Sequence, residues 1–182
     1  MFALLATAAV IGAEDEKMLY FAYGSNMCAG RLRRRVPSAT FVRIAKLTGH
    51  SFRFHKRSID GSGKGDALET GNPLDIVWGV IFEIDETQKR TLDEAEGLGA
   101  GYEERKTNVL DESGKEHLVV LYVAEANGTD GTLRPYSWYK RFVVDGARQH
   151  DLPAEYTNNV AAMPDSEDPD RDRDRRNRSI VC

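Results

Sequence analysis

A short apolar and aromatic segment, residues 19–23, stops abruptly at Gly24, and this stop strongly constrains the fold. A run of that length before a glycine is typical of a buried strand. A longer β-branched run at residues 75–84 contains Gly79, which indicates a bulge or a close backbone approach within a central strand. Four further segments have the alternation or composition of strands: residues 40–47, 51–56, 105–110 and 116–124.

Helix signals interrupt these strands at irregular intervals. Residues 31–35 predict a short helix whose arginines face solvent. Asp85 is typical of a helix start, and this helix is expected to run to Glu96, with Gly97 as its left-handed stop. Residues 60–66 predict a flexible loop. Two more helices are predicted to begin at prolines, Pro135 and Pro153. The irregular order favours an α+β domain, a small curled mixed β-sheet or barrel flanked by helices.

The length of 182 residues fits one domain, and residues 18–163 carry the strand and helix patterns. Residues 1–17 form an apolar N-terminal extension. It resembles the core of a secretion signal but lacks a positive leader, and a stretch upstream of an internal start at Met18 is the simpler interpretation. Residues 164–182 contain few apolar side chains, which predicts a disordered mixed-charge tail.

Charge and cysteine content limit which classes of binding partner and which cellular compartment fit this chain. The formal net charge of −4 provides no basic field, so we expect neither nucleic acid nor a membrane as a partner. Cys28 and Cys182 lie near opposite ends, which gives a disulfide framework little support and favours a reducing cytoplasm. The sequence leaves open whether the chain forms a homodimer.

Two positions suggest chemistry. The turn Gly24-Ser25-Asn26 can present backbone N–H groups to a carboxylate or to a developing oxyanion, although an ordinary helix start explains the same residues. Glu96 lies at the C-terminal end of its predicted helix. There the helix dipole and the nearby Asp93 are expected to raise its pKa towards that of a working base. Most acidic residues on helices are merely solvated, so neither position alone specifies an enzyme.

Four motifs carry a resemblance to a known family. They are Tyr20-Phe21-Ala22-Tyr23-Gly24-Ser25-Asn26, Val77-Trp78-Gly79-Val80, Leu92-Asp93-Glu94-Ala95-Glu96-Gly97 and Leu152-Pro153-Ala154-Glu155-Tyr156. In this order and spacing, the chain resembles the γ-glutamylcyclotransferase family within the AIG2-like superfamily. A glutathione-specific branch typically ends the first motif in YGSL, so Asn26 favours the general γ-glutamyl branch.

The resemblance implies an enzyme that needs no cofactor and no metal, because the α-amine of a γ-glutamyl substrate attacks its own γ-carbonyl. It implies that Glu96 is the catalytic acid/base, and that the products are 5-oxoproline and a free amino acid. The residues that it places around the substrate are Tyr20, Phe21, Ala22, Tyr23, Gly24, Ser25, Asn26, Tyr102 and Tyr139.

Three alternatives stay open. Cys28 at a possible helix N-terminus, with His50 or His55, fits a thiol hydrolase, although no local signature supports the histidines. A noncatalytic module could keep the pocket and bind a γ-glutamyl-type ligand. The group attached to the γ-glutamyl unit is also open: an amino acid, a peptide such as glutathione, or an amine.

Overall fold

The computed structural model describes residues 16–182, so the origin of the apolar N-terminal segment lies outside the described residues. The strands are β1 (Lys17–Ala22), β2 (Thr40–Thr48), β3 (His50–Arg57), β4 (Gly63–Glu69), β5 (Ile76–Asp85), β6 (Tyr102–Asp111) and β7 (Glu116–Ala124). The α-helices are α1 (Ala29–Arg35), α2 (Lys89–Glu96), α3 (Ser137–Gln149), α4 (Ala154–Ala162) and α5 (Arg171–Arg178). Within residues 16–182, no helix combines the length and apolar character needed to cross a bilayer.

Five strands close into a barrel in the order β1-β5-β2-β6-β7. Four of the pairings are antiparallel, and the barrel closes where β1 meets β7 in parallel at Tyr20 and Val120. β3 and β4 form a separate antiparallel pair, and helices flank the barrel. The predicted α+β class with a small barrel is confirmed.

β5 is the barrel strand that the apolar run predicted, and it pairs with β1 on one side and β2 on the other, although a closed barrel has no central strand. Gly79 permits a close backbone approach: a Cβ there would lie 2.5 Å from the Ala22 carbonyl oxygen and would also meet the Phe21 ring. Phe21 and Phe82 are among the largest fully buried side chains. The barrel interior is therefore packed tightly next to the strand that leads into the Gly24 turn.

The start of α2 and the loop at residues 60–66 both differ from expectation. A 3-10 turn, Glu86–Gln88, precedes α2, and the Asp85 side chain makes no capping hydrogen bond. Gly97 does end the helix in the left-handed conformation, with φ of 73°. The loop prediction was wrong from residue 63 onwards, because the ladder hydrogen bonds of β4 begin there and overrule the glycine-rich composition.

The C-terminal segment, expected to be disordered, is folded. Asp170 caps α5 by accepting from the Asp172 and Arg173 amides. Asp168 is almost completely buried and accepts hydrogen bonds from Trp138 Nε1 at 2.7 Å and from Arg173. Composition failed here because it counts apolar burial alone, whereas this segment is held by paired charges and by one buried carboxylate.

A disulfide joins Cys28 to Cys182, contrary to the expectation from their positions in the sequence. The fold brings the last residues against α1, where Gly30 leaves room for the Val181 carbonyl. Gln149 on α3 receives a hydrogen bond from the Ala29 amide and donates one to the Cys182 carbonyl. The C-terminus is thus fastened directly behind the turn that follows β1.

Candidate active site

A small cavity, here named the inner chamber, lies where β1, the turn Ser25–Met27, α2 and α3 meet. Its volume is about 30 Å³. Eight of the ten predicted site residues line it: Tyr20, Tyr23, Gly24, Ser25, Asn26, Glu96, Tyr102 and Tyr139. Two more lining residues, Gly65 and Tyr122, were not predicted. Residues separated by more than a hundred positions in the chain therefore share one cavity.

Glu96 enters this chamber from the last turn of α2. Its Oε1 accepts a hydrogen bond from the Tyr20 hydroxyl at 2.8 Å and another from Asn26 Nδ2. Asn26 Nδ2 also donates to the Tyr20 hydroxyl at 3.2 Å, so the three side chains form a closed triangle. Among residues 16–182, no hydrogen bond is made to Oε2, which leaves that oxygen available to a ligand.

Tyrosine hydroxyls form most of the remaining wall, and they stay protonated. Burial, followed by the Glu96 charge, raises the pKa of Tyr20 well above its usual value. Burial likewise raises the pKa of Tyr23, Tyr102 and Tyr139. At neutral pH these hydroxyls are therefore neutral hydrogen-bonding groups, and they can orient a ligand without adding charge to the chamber.

The β3–β4 pair reaches the inner chamber through Gly65. Its amide donates to the Tyr139 hydroxyl at 3.1 Å, and its carbonyl accepts from the Tyr102 hydroxyl at 2.5 Å. A Cβ on Gly65 would lie 3.0 Å from the Phe52 ring, so a larger residue would crowd this contact. The two predicted tyrosines are thus held by one strand residue that the sequence analysis assigned to a loop.

The turn Ser25–Met27 is supported from behind by α3. A Cβ on Gly146 would lie 2.5 Å from the Cys28 amide nitrogen, so the helix can approach the turn this closely only at a glycine. His150, just beyond α3, hydrogen-bonds the Met27 carbonyl at 3.0 Å. The first amides of a helical turn lack intrahelical partners, which lets this turn offer donors to an anion.

Phe21 and Ala22 are absent from the lining of the inner chamber and lie in the barrel core. Neighbouring residues of a strand face opposite sides, so Phe21 points away from Tyr20. Phe21 instead meets Gly79 on the paired strand β5. Ala22 is paired there with Val80. The resemblance had assigned the whole motif to the pocket, whereas Phe21 and Ala22 belong to the core. Alternation along β1 accounts for Phe21, and Ala22, on the same face as Tyr20, has only a methyl side chain, which stays buried outside the cavity lining.

A second cavity, here named the outer chamber, opens beside the first and has a volume of about 260 Å³. The two share Ser25, Glu96, Tyr102 and Tyr139. Four basic side chains also line the outer chamber: Arg31, Arg35, Lys56 and Lys64. The prediction that the α1 arginines merely face solvent was therefore wrong for Arg31 and Arg35.

The basic residues of the outer chamber carried a sequence signal. Arg31 and Arg35 are four residues apart, which places them on one face of α1. Lys56 continues the buried alternation of Phe52 and Phe54 along β3. A lysine on the buried face of a strand is rare without a partner or a role, and this pattern could have identified it.

Two other sequence expectations change with the geometry. Asp93 does not lie beside Glu96 as an unpaired charge: it binds Lys89 and accepts from the Tyr122 hydroxyl at 2.5 Å. The thiol-hydrolase alternative loses its nucleophile because Cys28 is in the disulfide. Its proposed partner His55 is hydrogen-bonded to Asp66 at 2.7 Å.

Comparison with known proteins agrees with this geometry. A model of the AIG2-like family matches residues 76–160. Human gamma-glutamylcyclotransferase is 31% identical over 164 residues, which cover 85% of this chain and 82% of the human protein. The chain belongs to the γ-glutamylcyclotransferase family.

Further relatives of this family agree. The mouse gamma-glutamylcyclotransferase is 32% identical over 160 residues, which cover 86% of this chain and 84% of the mouse protein. A solved structure of a gamma-glutamyl cyclotransferase superposes with a TM-score of 0.76 at 30% identity, covering 83% of this chain and 90% of that one. The γ-glutamylcyclotransferase fold therefore extends over most of the chain.

Proposed function

We propose that this chain converts γ-glutamyl amino acids or peptides into 5-oxoproline and a free amino acid or peptide, with Glu96 as the general acid/base. One observation carries the proposal: the Glu96 carboxylate lies in the inner chamber, hydrogen-bonded by Tyr20 and Asn26, beside the turn Ser25–Met27. Membership of the γ-glutamylcyclotransferase family supports the same reaction.

The first step is a proton transfer followed by ring closure. The α-amine of the substrate is mostly an ammonium group at neutral pH, and it must lose a proton before it can attack. The free Oε2 of Glu96 takes that proton, while Tyr20 and Asn26 hold Oε1 in place. The amine nitrogen then bonds to the γ-carbonyl carbon, and the carbonyl electrons move onto oxygen.

The second step releases the leaving amine. Backbone donors of the turn at Ser25, together with the Tyr139 hydroxyl, which accepts from the Gly65 amide and so keeps its own hydrogen for the ligand, stabilise the negative oxygen of the tetrahedral intermediate. The carbonyl re-forms as the bond between the γ-carbon and the leaving nitrogen breaks, and Glu96 returns its proton to that nitrogen. The regenerated Glu96 carboxylate then takes the second proton from the ring nitrogen and passes it to the released amine, which leaves as an ammonium group. No water is consumed, and the enzyme supplies orientation of a flexible chain in addition to the proton relay.

The decisive experiment compares Glu96→Gln with the unchanged protein. Loss of the acid/base is expected to lower kcat for 5-oxoproline release by a factor of about 10² to 10⁴, because that is the usual contribution of a positioned proton-transfer group. Binding of a γ-glutamyl amino acid, measured by calorimetry, should survive. Glu112→Gln is the matched control, since Glu112 is exposed in the β6–β7 turn and lines neither chamber.

Turnover of the Glu96→Gln variant within threefold of the unchanged protein would refute the assigned role of Glu96. If the unchanged protein binds γ-glutamyl compounds but releases no 5-oxoproline from any of them, the noncatalytic binding module is the correct description. The unchanged protein releases 5-oxoproline in the first outcome and releases none in the second, so the same set of assays separates the two.

Cytoplasmic location is a separate proposal, made from the sequence. The disulfide between Cys28 and Cys182 removes the cysteine argument for it, because such bonds are rare in the reducing cytosol. Cell fractionation combined with trapping of free thiols tests the proposal. Recovery of the chain in the cytosolic fraction with both thiols trapped would support it, and recovery of the oxidised form from an oxidising compartment would contradict it.

A further inference from the structure

The outer chamber carries more positive charge than its own residues neutralise. Lys64 is paired with Asp60 at 2.7 Å. Arg31, Arg35 and Lys56 have no carboxylate partner within salt-bridge distance among residues 16–182. A cation without a counter-ion is costly where it is shielded from water, as the buried Lys56 is and the half-buried Arg31 and Arg35 are in part, so a site lined by all three is suited to an anionic ligand.

Lys56 is the most confined of the three. The residue is only 7% exposed, and its ammonium group lies 4.6 Å from the centre of the Tyr102 ring. It donates one hydrogen bond, to the Ala100 carbonyl at 3.2 Å. An ammonium group has three donors, so Lys56 keeps donors for a ligand at the junction of the two chambers.

The two arginines are held by neutral groups. Arg31 donates to Ser25 Oγ at 3.3 Å and to Asn177 Oδ1 at 3.4 Å, with its guanidinium 4.7 Å from the centre of the Phe142 ring. Arg35 donates to Asn26 Oδ1 at 3.2 Å. Burial, with the nearby Arg35 charge, lowers the pKa of Arg31 to about 10, so Arg31 stays charged at neutral pH.

The charge balance indicates which leaving group fits. Glu94 also lines the outer chamber, but it is paired with Arg90 at 3.0 Å, as Lys64 is with Asp60. Glu96 is the one lining carboxylate without a cation partner in the described part of the chain, so three unpaired cations leave an excess of two positive charges across the joined chambers. A γ-glutamyl substrate with a neutral leaving amino acid carries one ammonium group and two carboxylates, hence a net charge of −1. An acidic leaving amino acid brings the net charge to −2, which cancels the excess. A leaving amine without a carboxylate contributes no negative charge to the outer chamber.

We propose that the outer chamber selects the leaving group by its negative charge, preferring an acidic amino acid over a neutral one and a neutral amino acid over an amine, with Lys56 as the specificity-determining residue. This inference rests on the proposed cyclotransferase function. It places the reacting γ-carbonyl and α-amine of the γ-glutamyl unit at the inner chamber, where Glu96 and the turn lie. It assigns the leaving amino acid to the roomier outer chamber.

The test uses three substrates that differ mainly in charge: γ-glutamyl-glutamate, γ-glutamyl-glutamine and γ-glutamyl-butylamine. We expect kcat/KM for 5-oxoproline release to be about tenfold higher for glutamate than for glutamine, because one charged hydrogen bond is worth about that factor. The amine should be the poorest substrate. Near-equal kcat/KM values for the first two, within twofold, would overturn the proposal.

Variants of Lys56 test whether this residue is responsible for the preference between leaving groups. Lys56→Gln should lower the glutamate-to-glutamine ratio about tenfold, and Lys56→Arg should keep it, because the charge is retained. Lys106→Gln is the matched control, since Lys106 is exposed on β6 outside both chambers, and it should leave the ratio unchanged. An unaltered ratio in Lys56→Gln would overturn the assignment. If that variant does not fold, Arg35→Gln is used, and a lower ratio is again required.

The same experiment distinguishes failure of selection from failure of function. If none of the three substrates releases 5-oxoproline, the proposed function fails. Calorimetric titration of γ-glutamyl-glutamate and γ-glutamyl-glutamine into the unchanged chain then still measures charge selection. About tenfold tighter binding of the glutamate compound would support selection by the outer chamber, and equal binding would refute it.

Discussion

The inner and outer chambers share a wall but differ in chemical character. The inner chamber contains one carboxylate surrounded by neutral hydroxyl and amide donors, and its residues hydrogen-bond to one another. The outer chamber is lined by cations, three of which have no carboxylate partner in the described part of the chain. The contrast supports the proposal that proton transfer and choice of leaving group belong to separate sets of residues.

The difference follows from the elements that build each chamber. β1, β7 and the end of α2 bring tyrosines and Glu96 to the inner chamber, where barrel packing fixes their positions. α1, β3 and β4 supply the cations of the outer chamber. Changes in the inner chamber should therefore affect all substrates alike, and changes in the outer chamber should affect ratios between substrates.

Asn26→Asp should produce the largest effect after the loss of Glu96 itself. An ionised aspartate cannot donate to Glu96 Oε1, and it adds a like charge at that contact. We expect kcat/KM to fall about a hundredfold for every leaving group, from the lost charged hydrogen bond and the repulsion together. Steady-state kinetics checks this. Asn108→Asp on exposed β6 is the control, and a change confined to one leaving group would contradict the division between chambers.

Tyr20→Phe removes one hydroxyl, the donor to Glu96 Oε1 at 2.8 Å, and keeps the ring. We expect kcat/KM to fall about tenfold with the ratios between leaving groups unchanged, since the hydrogen bond is to a charged group. Tyr156→Phe on α4 is the matched control because Tyr156 lines neither chamber. A shift in the glutamate-to-glutamine ratio in Tyr20→Phe would show that the two chambers are not independent.

Alkaline pH should lower the preference of the enzyme for γ-glutamyl-glutamate over γ-glutamyl-glutamine severalfold. Burial lowers the pKa of Lys56 from 10.5, with the Glu96, Asp60 and Glu125 charges acting in the opposite direction. The protonated form attracts carboxylates, so the preference for γ-glutamyl-glutamate is present below the lowered pKa and is lost as pH rises through it. The Lys56→Arg variant should keep its preference over the same range, because arginine stays charged. A parallel loss in both proteins would assign the titration to another group.

Cys182→Ser should have the smallest effect on chemistry and a clear effect on stability. The disulfide links residues 154 positions apart, and its loss should lower the free energy of unfolding by about 2–4 kcal/mol. Because the bond lies behind the wall that both chambers share, kcat/KM at 25 °C should change by less than about twofold for all substrates. Denaturant unfolding measures the change in the free energy of unfolding, and steady-state kinetics measures the change in kcat/KM. A substrate-specific change would show that the C-terminus shapes the outer chamber.

Local patterns predicted much of the fold. The glycine-bounded strand, the apolar run with Gly79, the strands predicted at residues 105–110 and 116–124, and the stop at Gly97 are all present. These features depend on side-chain period and backbone freedom within a few residues, which a sequence displays directly. The tail was mispredicted because part of its order comes from the distant Trp138, and residues 63–66 because pairing with β3 overrules their glycine-rich composition.

The sequence by itself determined the α+β class, the turn after β1 and Glu96 at the end of a helix, together with the resemblance that joined them. Only the tertiary structure decided that Tyr20 and Asn26 hold Glu96, that Gly65 anchors two tyrosines, and that Cys28 meets Cys182. It alone gathered Arg31, Arg35 and Lys56 around one cavity. The physical reason is that charge and hydrogen-bond complementarity act over a few ångströms in space, whereas sequence patterns report distances along the chain.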